Sequence, residues 1–297
     1  MEKAKITFLG TSNAIPTKKR SHTAILLSYK NENILVDCGE GVQRQFKFAN
    51  LSPNKLTKIF ITHWHGDHVL GLPGLLQTLA MNEFNTVLKL YGPKGTYRNI
   101  SLLKELFKIK IDLQIKEVTG KFLETPDFFL EARPMMHRIP TLAYSFTIKD
   151  KIRLDKKKIE KLKLPHSPLL KKLQEGKDIT FKGKKIKSSE VSYIEKGRKI
   201  TFILDTAPNE NTEKIAENSD LLVCESSFSK EEEKIARERL HLTSEDAARI
   251  GKKAKAKKLI LTHISQRYEH DTKPILNQAK KIFKNTSLAK DFDVVEF

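Results

Sequence analysis

Three imidazoles and a carboxylate fall within six residues in the run Thr62-His63-Trp64-His65-Gly66-Asp67-His68, immediately after the apolar run Ile59-Phe60-Ile61. Imidazole nitrogen and carboxylate oxygen are the donors that hold Zn²⁺ without redox chemistry, and at these alternating offsets they can face two neighbouring ions rather than one. A pair of ions points to hydrolysis, because two metals can acidify a shared water and stabilise both the attacking and the leaving oxygen. The whole chain has nine histidines. Three of them in H-x-H-x-D-H order argue against a merely polar loop.

Four more polar residues sit just beyond apolar runs, where a strand delivers a side chain to a rim. His137 follows Ala132-Arg133-Pro134-Met135-Met136, Asp205 follows Phe202-Ile203-Leu204, Glu225 follows Leu222-Val223-Cys224 and His263 follows Ile260-Leu261-Thr262. A lone histidine in such a place is usually structural, but the repeated placement suggests one shared site.

The elements that must position these residues are short. Apolar runs of strand length recur at Ile6–Leu9, Ala24–Ser28, Ile34–Asp37, Lys58–Thr62, Val87–Tyr91, Phe128–Ala132, Ala143–Ile148, Ile200–Leu204, Asp220–Cys224 and Lys258–Thr262. Helical periodicity interleaves with them over Gly71–Met81, Ile100–Phe107, Asn211–Ala216, Lys230–Arg239, Ser244–Ala254 and Thr272–Phe283. Thr243, with Asp246 three residues on, is a capping signal for the Ser244 helix and ends a loop running from His241. This is an α/β pattern, and 297 residues suffice for one large core or two modest ones.

The segment Asp150–Glu195 differs, with long lysine stretches, Pro165, Pro168, Gly176, Gly183 and few residues that would commit to a core. It reads as an inserted arm, with room for a short helix at Lys156–Leu162 and a small hairpin around Gly183. Formal net charge is +19, an imbalance that usually accompanies a polyanionic partner. Lys149 to Lys199 contains 18 Lys plus Arg against 7 Asp plus Glu, a net of +11, so the excess is concentrated there. Lysines scattered by compositional bias are the alternative, and Lys252-Lys253-Ala254-Lys255-Ala256-Lys257-Lys258 is consistent with it. Cys38 and Cys224 cannot supply a disulfide framework and end apolar runs, so buried free thiols in a reducing compartment are expected, with the cytoplasm as location. No apolar run approaches bilayer length, and no membrane association is expected.

Taken together, these residues place a resemblance. The chain is similar, nearly end to end, to the ribonuclease Z family of tRNA 3′-processing endonucleases within the metallo-β-lactamase superfamily. The metal motif alone marks the superfamily. The branch is marked by Phe8-Leu9-Gly10-Thr11-Ser12 with Pro16-Thr17 and Arg20, by Val36-Asp37-Cys38-Gly39-Glu40-Gly41 with Gln43-Arg44-Gln45, and by Gly71-Leu72-Pro73-Gly74-Leu75 and Ser265-Gln266-Arg267-Tyr268.

The resemblance implies a single metallo-β-lactamase-like domain over 1–297, folded as a four-layer αβ/βα sandwich, with 150–195 as an inserted basic arm that clamps tRNA. It implies two zinc ions per subunit, with Mn²⁺ or Fe²⁺ as possible substitutes. His63, His65 and His137 would hold one ion, Asp67, His68 and His263 the other, and Asp205 would bridge both. Asp67 is also implied as general base, and His241, oriented by Glu225, as the acid that protonates the leaving oxygen. Lys18, Lys19 and Arg20 would hold substrate near the cut, while Lys156, Lys157, Lys158, Lys171 and Lys172 of the arm would contact tRNA phosphates. A homodimer acting on precursor tRNA is implied, one subunit's arm holding the tRNA that the other cuts.

The chain departs from the family pattern at four places. Cys224-Glu225-Ser226-Ser227 stands for His-Glu-Ala-Thr, His241-Leu242-Thr243 for His-Ser-Thr, Arg20-Ser21 for Arg-Asn, and His166-Ser167-Pro168 for the Gly-Pro of the arm. His22, His166 and His270 read as loop or surface residues, Trp64 as packing beside the metal loop, and Gly10 to Ser12 as a turn. Two rivals are a small-molecule hydrolase with the same ligands and no need of an arm, and a non-catalytic RNA-binding protein, against which the complete ligand set argues.

Overall fold

In a computed structural model describing residues 3–297, the chain forms two compact units. The larger comprises residues up to Glu124, Leu130–Phe146 and Lys199–Phe297; the smaller comprises Thr125–Phe129 and Thr147–Arg198.

The larger unit is built on two seven-stranded mixed sheets. One runs, edge to edge, Val294–Glu296, Lys5–Gly10, Ala24–Tyr29, Glu32–Val36, Lys58–Phe60, Leu88–Gly92 and Leu113–Glu117. The other runs Thr286–Leu288, Leu259–Thr262, Leu221–Glu225, Lys199–Ile203, Thr141–Ile148, Phe128–Met135 and Gly120–Glu124. Strand period two divides their side chains between two faces. Ile59 and Ile61 join a core with Leu72, Leu75, Leu76 and Leu79 of the helix Leu72–Met81. Between them Phe60 points the other way and stacks on Tyr144 of the second sheet, with ring centroids 4.8 Å apart. The outer face of the second sheet, through Leu222, Cys224, Leu259 and Leu261, packs on the helices Ser244–Lys253 and Lys273–Ile282. The order is helix, sheet, sheet, helix, the four-layer αβ/βα arrangement that the family resemblance implies.

Most expected elements recur with ends moved by a few residues. The Lys230–Arg239 run breaks into a 3₁₀ turn, Lys230–Glu232, and a helix, Glu233–Arg239. Thr243 and Asp246 form the reciprocal cap of the Ser244 helix. Both cysteines are buried and free. His22 departs from expectation: it is buried, with Nε2 3.2 Å from the Ala14 carbonyl, and helps fasten the loop that carries Lys18 and Lys19. No helix among the described residues is long and apolar enough to cross a membrane.

The smaller unit has more internal order than its composition suggests. Strands Lys151–Leu154 and Ser192–Glu195 pair antiparallel, and Asp155 caps the helix Lys156–Lys161. Ile179–Phe181 and Lys184–Ile186 form the hairpin, turned by Lys182 and Gly183 at φ 48° and 75°, the conformation a type I′ turn requires. Leu164, Leu173, Ile179, Ile186 and Val191 form a small buried core. Those residues are spaced too irregularly for periodicity to reveal them, which is why the segment reads as nearly coreless. Lys156, Lys157, Lys158, Lys171 and Lys172 are all exposed, and Lys158 Nζ donates to the Glu190 carbonyl.

Candidate metal centre

Most of the chemistry-bearing residues follow the carboxyl ends of strands, and His241 follows the helix Glu233–Arg239. Glu32–Val36 and Lys58–Phe60 are parallel neighbours in one sheet, and Lys199–Ile203, Leu221–Glu225 and Leu259–Thr262 are parallel neighbours in the other, so their ends share an edge. Three residues at this rim have left-handed backbone although none is glycine: Asp37 at φ 58°, His263 at φ 59° and Leu240 at φ 57°. Such backbone is costly and clusters at functional sites. Here it turns Asp37 and His263 out of their strand lines and aims the Leu240 carbonyl at His137. Gly39 and Gly71 let the loop after Asp37 lie directly on the metal segment; a Cβ on Gly39 would meet the Asp67 carbonyl oxygen at 2.6 Å.

Two sets of donor atoms result, each drawn within 4.8 Å: His63, His65, His137 and Asp205, and Asp67, His68, Asp205 and His263. In the first, His65 Nδ1 lies 3.0 Å from His63 Nε2 and 3.2 Å from His137 Nε2, while Asp205 Oδ2 is 3.5 Å from His63 Nε2. In the second, His263 Nε2 is 3.2 Å from His68 Nε2 and 3.5 Å from Asp67 Oδ2, while Asp205 Oδ1 is 3.0 Å from His263 Nε2 and 3.4 Å from His68 Nε2. Asp205 therefore offers one oxygen to each set.

The outward nitrogens are already engaged, as in metal sites where outer partners fix the ring. His68 Nδ1 is 2.6 Å from Asp37 Oδ2, His63 Nδ1 is 3.0 Å from Thr62 Oγ1, His137 Nδ1 is 3.1 Å from the Leu240 carbonyl and His263 Nδ1 is 2.8 Å from Ser227 Oγ. What remains points inward: lone pairs and carboxylate oxygens that repel one another unless cations lie between them. Asp205 Oδ1 is buried with no hydrogen-bond partner among the described residues, as suits a carboxylate oxygen that serves as a metal donor. The residues present fit divalent cations.

Electrostatics agree. Burial opposes the charge of Asp205 and Asp67, but the surrounding histidines outweigh it and hold both carboxyls below the usual range. Burial, with neighbouring imidazoles and against Asp205, pushes the pKa of His63 and His137 down, whereas at His68 burial is outweighed by Asp205, Asp37 and Asp67, which push its pKa up.

Beside the two sets lies His241, with Nδ1 3.1 Å from each Glu225 oxygen and Nε2 3.9 Å from Asp205 Oδ2. Burial would lower its pKa, but Glu225 and Asp205 push it up to about 9. Glu225 is fully buried and also accepts from the Thr206 amide at 2.7 Å.

The ten expected metal and acid–base assignments thus reduce to nine residues in one place. The expected substrate cations do not share a common setting. Lys18 and Lys19 are exposed, but Arg20 is buried, its Nη1 donating to Thr11 Oγ1 at 2.7 Å and the Ala289 carbonyl at 2.6 Å. These bonds brace the loop, a setting unlike that of Lys18 and Lys19; no sequence pattern distinguishes a buried arginine from its exposed neighbours. His166 and His270 are exposed, and Trp64 donates from Nε1 to Thr96 Oγ1 while packing on the core. Asp37, Thr62 and Ser227 were missed. Asp37 ends the run Ile34-Leu35-Val36, the same signal that picked out Asp205.

Residues 4–281 match a family model described as Anti-Pycsar protein Apyc1. The ribonuclease Z of Nanoarchaeum equitans is 38% identical over 294 residues, covering 98% of this chain and 93% of that one. The ribonuclease Z of Prochlorococcus marinus is 41% identical over 304 residues, covering 97% of each. Among solved structures, the short form of human tRNase Z superimposes with a TM-score of 0.71 at 26% identity, covering 98% of both chains.

Proposed function

The chain belongs to the ribonuclease Z family, its residues 4–281 also falling in the family of Anti-Pycsar protein Apyc1, and from that premise we propose that it is a metal-dependent endoribonuclease removing the 3′ trailer of precursor tRNA. The observation that carries the reading is Asp205 shared between two sets of histidines, with the His241–Glu225 pair alongside.

The cut follows the discriminator base, leaving a 3′-hydroxyl on the tRNA and a 5′-phosphate on the trailer. His63, His65 and His137 would hold one zinc ion, Asp67, His68 and His263 a second, with Asp205 between them; manganese or iron would suit the same donors. When bound, the pair supplies a water of lowered pKa and charge stabilisation for the in-line displacement. Asp67 accepts the proton of the attacking water. His241 Nε2 donates a proton to the departing 3′-oxygen, and Glu225 holds the other nitrogen of that ring.

The basic smaller unit serves as the tRNA clamp through Lys156, Lys157, Lys158, Lys171 and Lys172, while Lys18 and Lys19 meet the RNA near the cut. Phosphate contacts of this kind suit an enzyme that must accept many tRNAs. Two copies cooperate in the cytoplasm as a homodimer, for which light scattering should give twice the chain mass; a monomer at assay concentration would remove that part of the reading.

The test of the clamp is excision of Asp150–Glu195. The Ile148 amide bonds to the Arg198 carbonyl at 2.8 Å, so a short Gly-Ser link can close the gap. We expect precursor-tRNA cleavage to fall by on the order of 10²-fold or more as phosphate contacts disappear, while hydrolysis of bis(p-nitrophenyl) phosphate persists. Equal loss of both would make the unit a structural support and favour a small-phosphodiester hydrolase.

A further inference from the structure

We propose that Ser227 is a positioning residue for the metal site, a hydroxyl that carries the charge of Glu225 to His263 and fixes which nitrogen of that ring faces the metals. The proposal rests on the reading of the site as a metal centre and deepens it.

The argument is proton accounting. Ser227 Oγ lies 2.7 Å from Glu225 Oε2 and 2.8 Å from His263 Nδ1, with the His263 carbonyl at 3.1 Å; serine and His263 are both essentially fully buried. Serine has one hydroxyl proton, and a carboxylate only accepts. Were that proton given to His263 Nδ1, two bare oxygens would face each other at 2.7 Å in a dry interior. The stable assignment has the Ser227 hydroxyl donating to Glu225 Oε2 and His263 Nδ1–H donating to Ser227 Oγ. Nε2 is then the nitrogen left for a metal, and it is the one turned to the other candidate ligands, Asp205 Oδ1 at 3.0 Å and Asp67 Oδ2 at 3.5 Å.

The opposite side of the site repeats the device. Thr62 Oγ1 donates to Asp37 Oδ2 at 2.7 Å, so His63 Nδ1–H, 3.0 Å away, must donate to Thr62. Asp37 meets a second imidazole directly, His68 Nδ1 at 2.6 Å, as Glu225 meets His241 at 3.1 Å. Each buried carboxylate therefore serves one ring directly and one through a hydroxyl. Glu225 thereby links the proposed leaving-group acid, the loop of the bridging Asp205 through the Thr206 amide, and a metal ligand. Its neighbour provides a matched control: Ser226 is equally buried, but its Oγ has no hydrogen-bond partner among the described residues.

The test compares Ser227→Ala, Ser227→Thr and Ser226→Ala in metal-free protein titrated with Zn²⁺ against a chromophoric chelator, with the melting temperature of the apo form recorded for each. Ser227→Ala should bind its weaker-held zinc on the order of 10- to 100-fold less tightly, the usual cost of losing an outer partner of a ligand. Ser227→Thr should retain wild-type affinity, because it keeps the hydroxyl. Ser226→Ala should leave affinity unchanged and raise the apo melting temperature, since a buried hydroxyl without a partner is removed. Should Ser227→Ala fold as wild type and bind both ions with wild-type affinity, or weaken no more than Ser226→Ala, the relay is refuted. If it proves too unstable to titrate, the Nδ1–H assignment is read from the nitrogen chemical shifts of His263 in the zinc-loaded wild type, where an unprotonated Nδ1 overturns it. None of these readings depends on RNA cleavage, so the relay and the proposed substrate can fail separately.

Discussion

Asp205→Ala is expected to abolish precursor-tRNA cleavage, with a loss on the order of 10⁴-fold or more, and to strip metal from both halves of the site. Its two oxygens face different ligand sets, Oδ2 toward His63 at 3.5 Å and Oδ1 toward His263 at 3.0 Å, so one truncation removes a donor from each. Stabilising the charge of the transferring phosphoryl group accounts for several kcal/mol, and each 1.4 kcal/mol is a factor of ten in rate. The measurement is metal stoichiometry by mass spectrometry together with single-turnover cleavage. A companion reading uses thermal stability. A ligand that binds only the folded chain stabilises it by mass action, so a chelator should lower the melting temperature of the wild type and leave Asp205→Ala nearly unchanged. A variant that keeps a full metal complement and cuts within tenfold of wild type would refute the shared bridge.

His241→Ala is expected to show the second largest effect, and a selective one. General acid catalysis contributes about 10²–10⁴-fold where the leaving group needs a proton. A ribose 3′-oxygen needs one; a p-nitrophenolate does not. Cleavage of precursor tRNA should therefore fall within that range, while hydrolysis of bis(p-nitrophenyl) phosphate changes little. Equal losses on both substrates would assign His241 to metal binding, which its place beside Glu225 and His263 also permits. Its pH dependence has a definite sign. Glu225 and Asp205 overcome burial to push the imidazole up to about 9, so the acid form persists until pH rises through that region. Bound cations act in the opposite direction. Glu225→Gln removes the nearest raising charge, so the alkaline limb of kcat for tRNA should move to lower pH. An unmoved limb would mean that another group carries the proton.

The metal segment was legible from His63 to His68 because its ligands are adjacent in sequence and their spacing is itself the signal. His137, Asp205, Glu225 and His263 could be singled out because each follows an apolar run, and a strand end is a place where a side chain reaches a rim. Their repeated placement suggested one shared site, and the resemblance to ribonuclease Z assigned each of them a place in it. The same rule applied evenly would have found Asp37. The burial of Arg20 and His22 could not be read because burial depends on neighbours from distant segments: Arg20 is held by Ala289, 269 positions along the chain.

By itself the sequence determined the α/β class, the ligand types, the concentration of positive charge between Lys149 and Lys199, and the cap of the Ser244 helix, since all of these are local in composition or spacing. Tertiary structure alone decided that Asp205 divides its oxygens between two histidine sets, that Thr62 and Ser227 each lie between a carboxylate and His63 or His263, and that the smaller unit has a core of its own. The physical reason is the range of the interaction. Periodicity and capping act over a few residues, whereas a hydrogen bond at 2.8 Å between Ser227 and His263 joins groups 36 residues apart and exists only when parallel strands bring their ends to one edge.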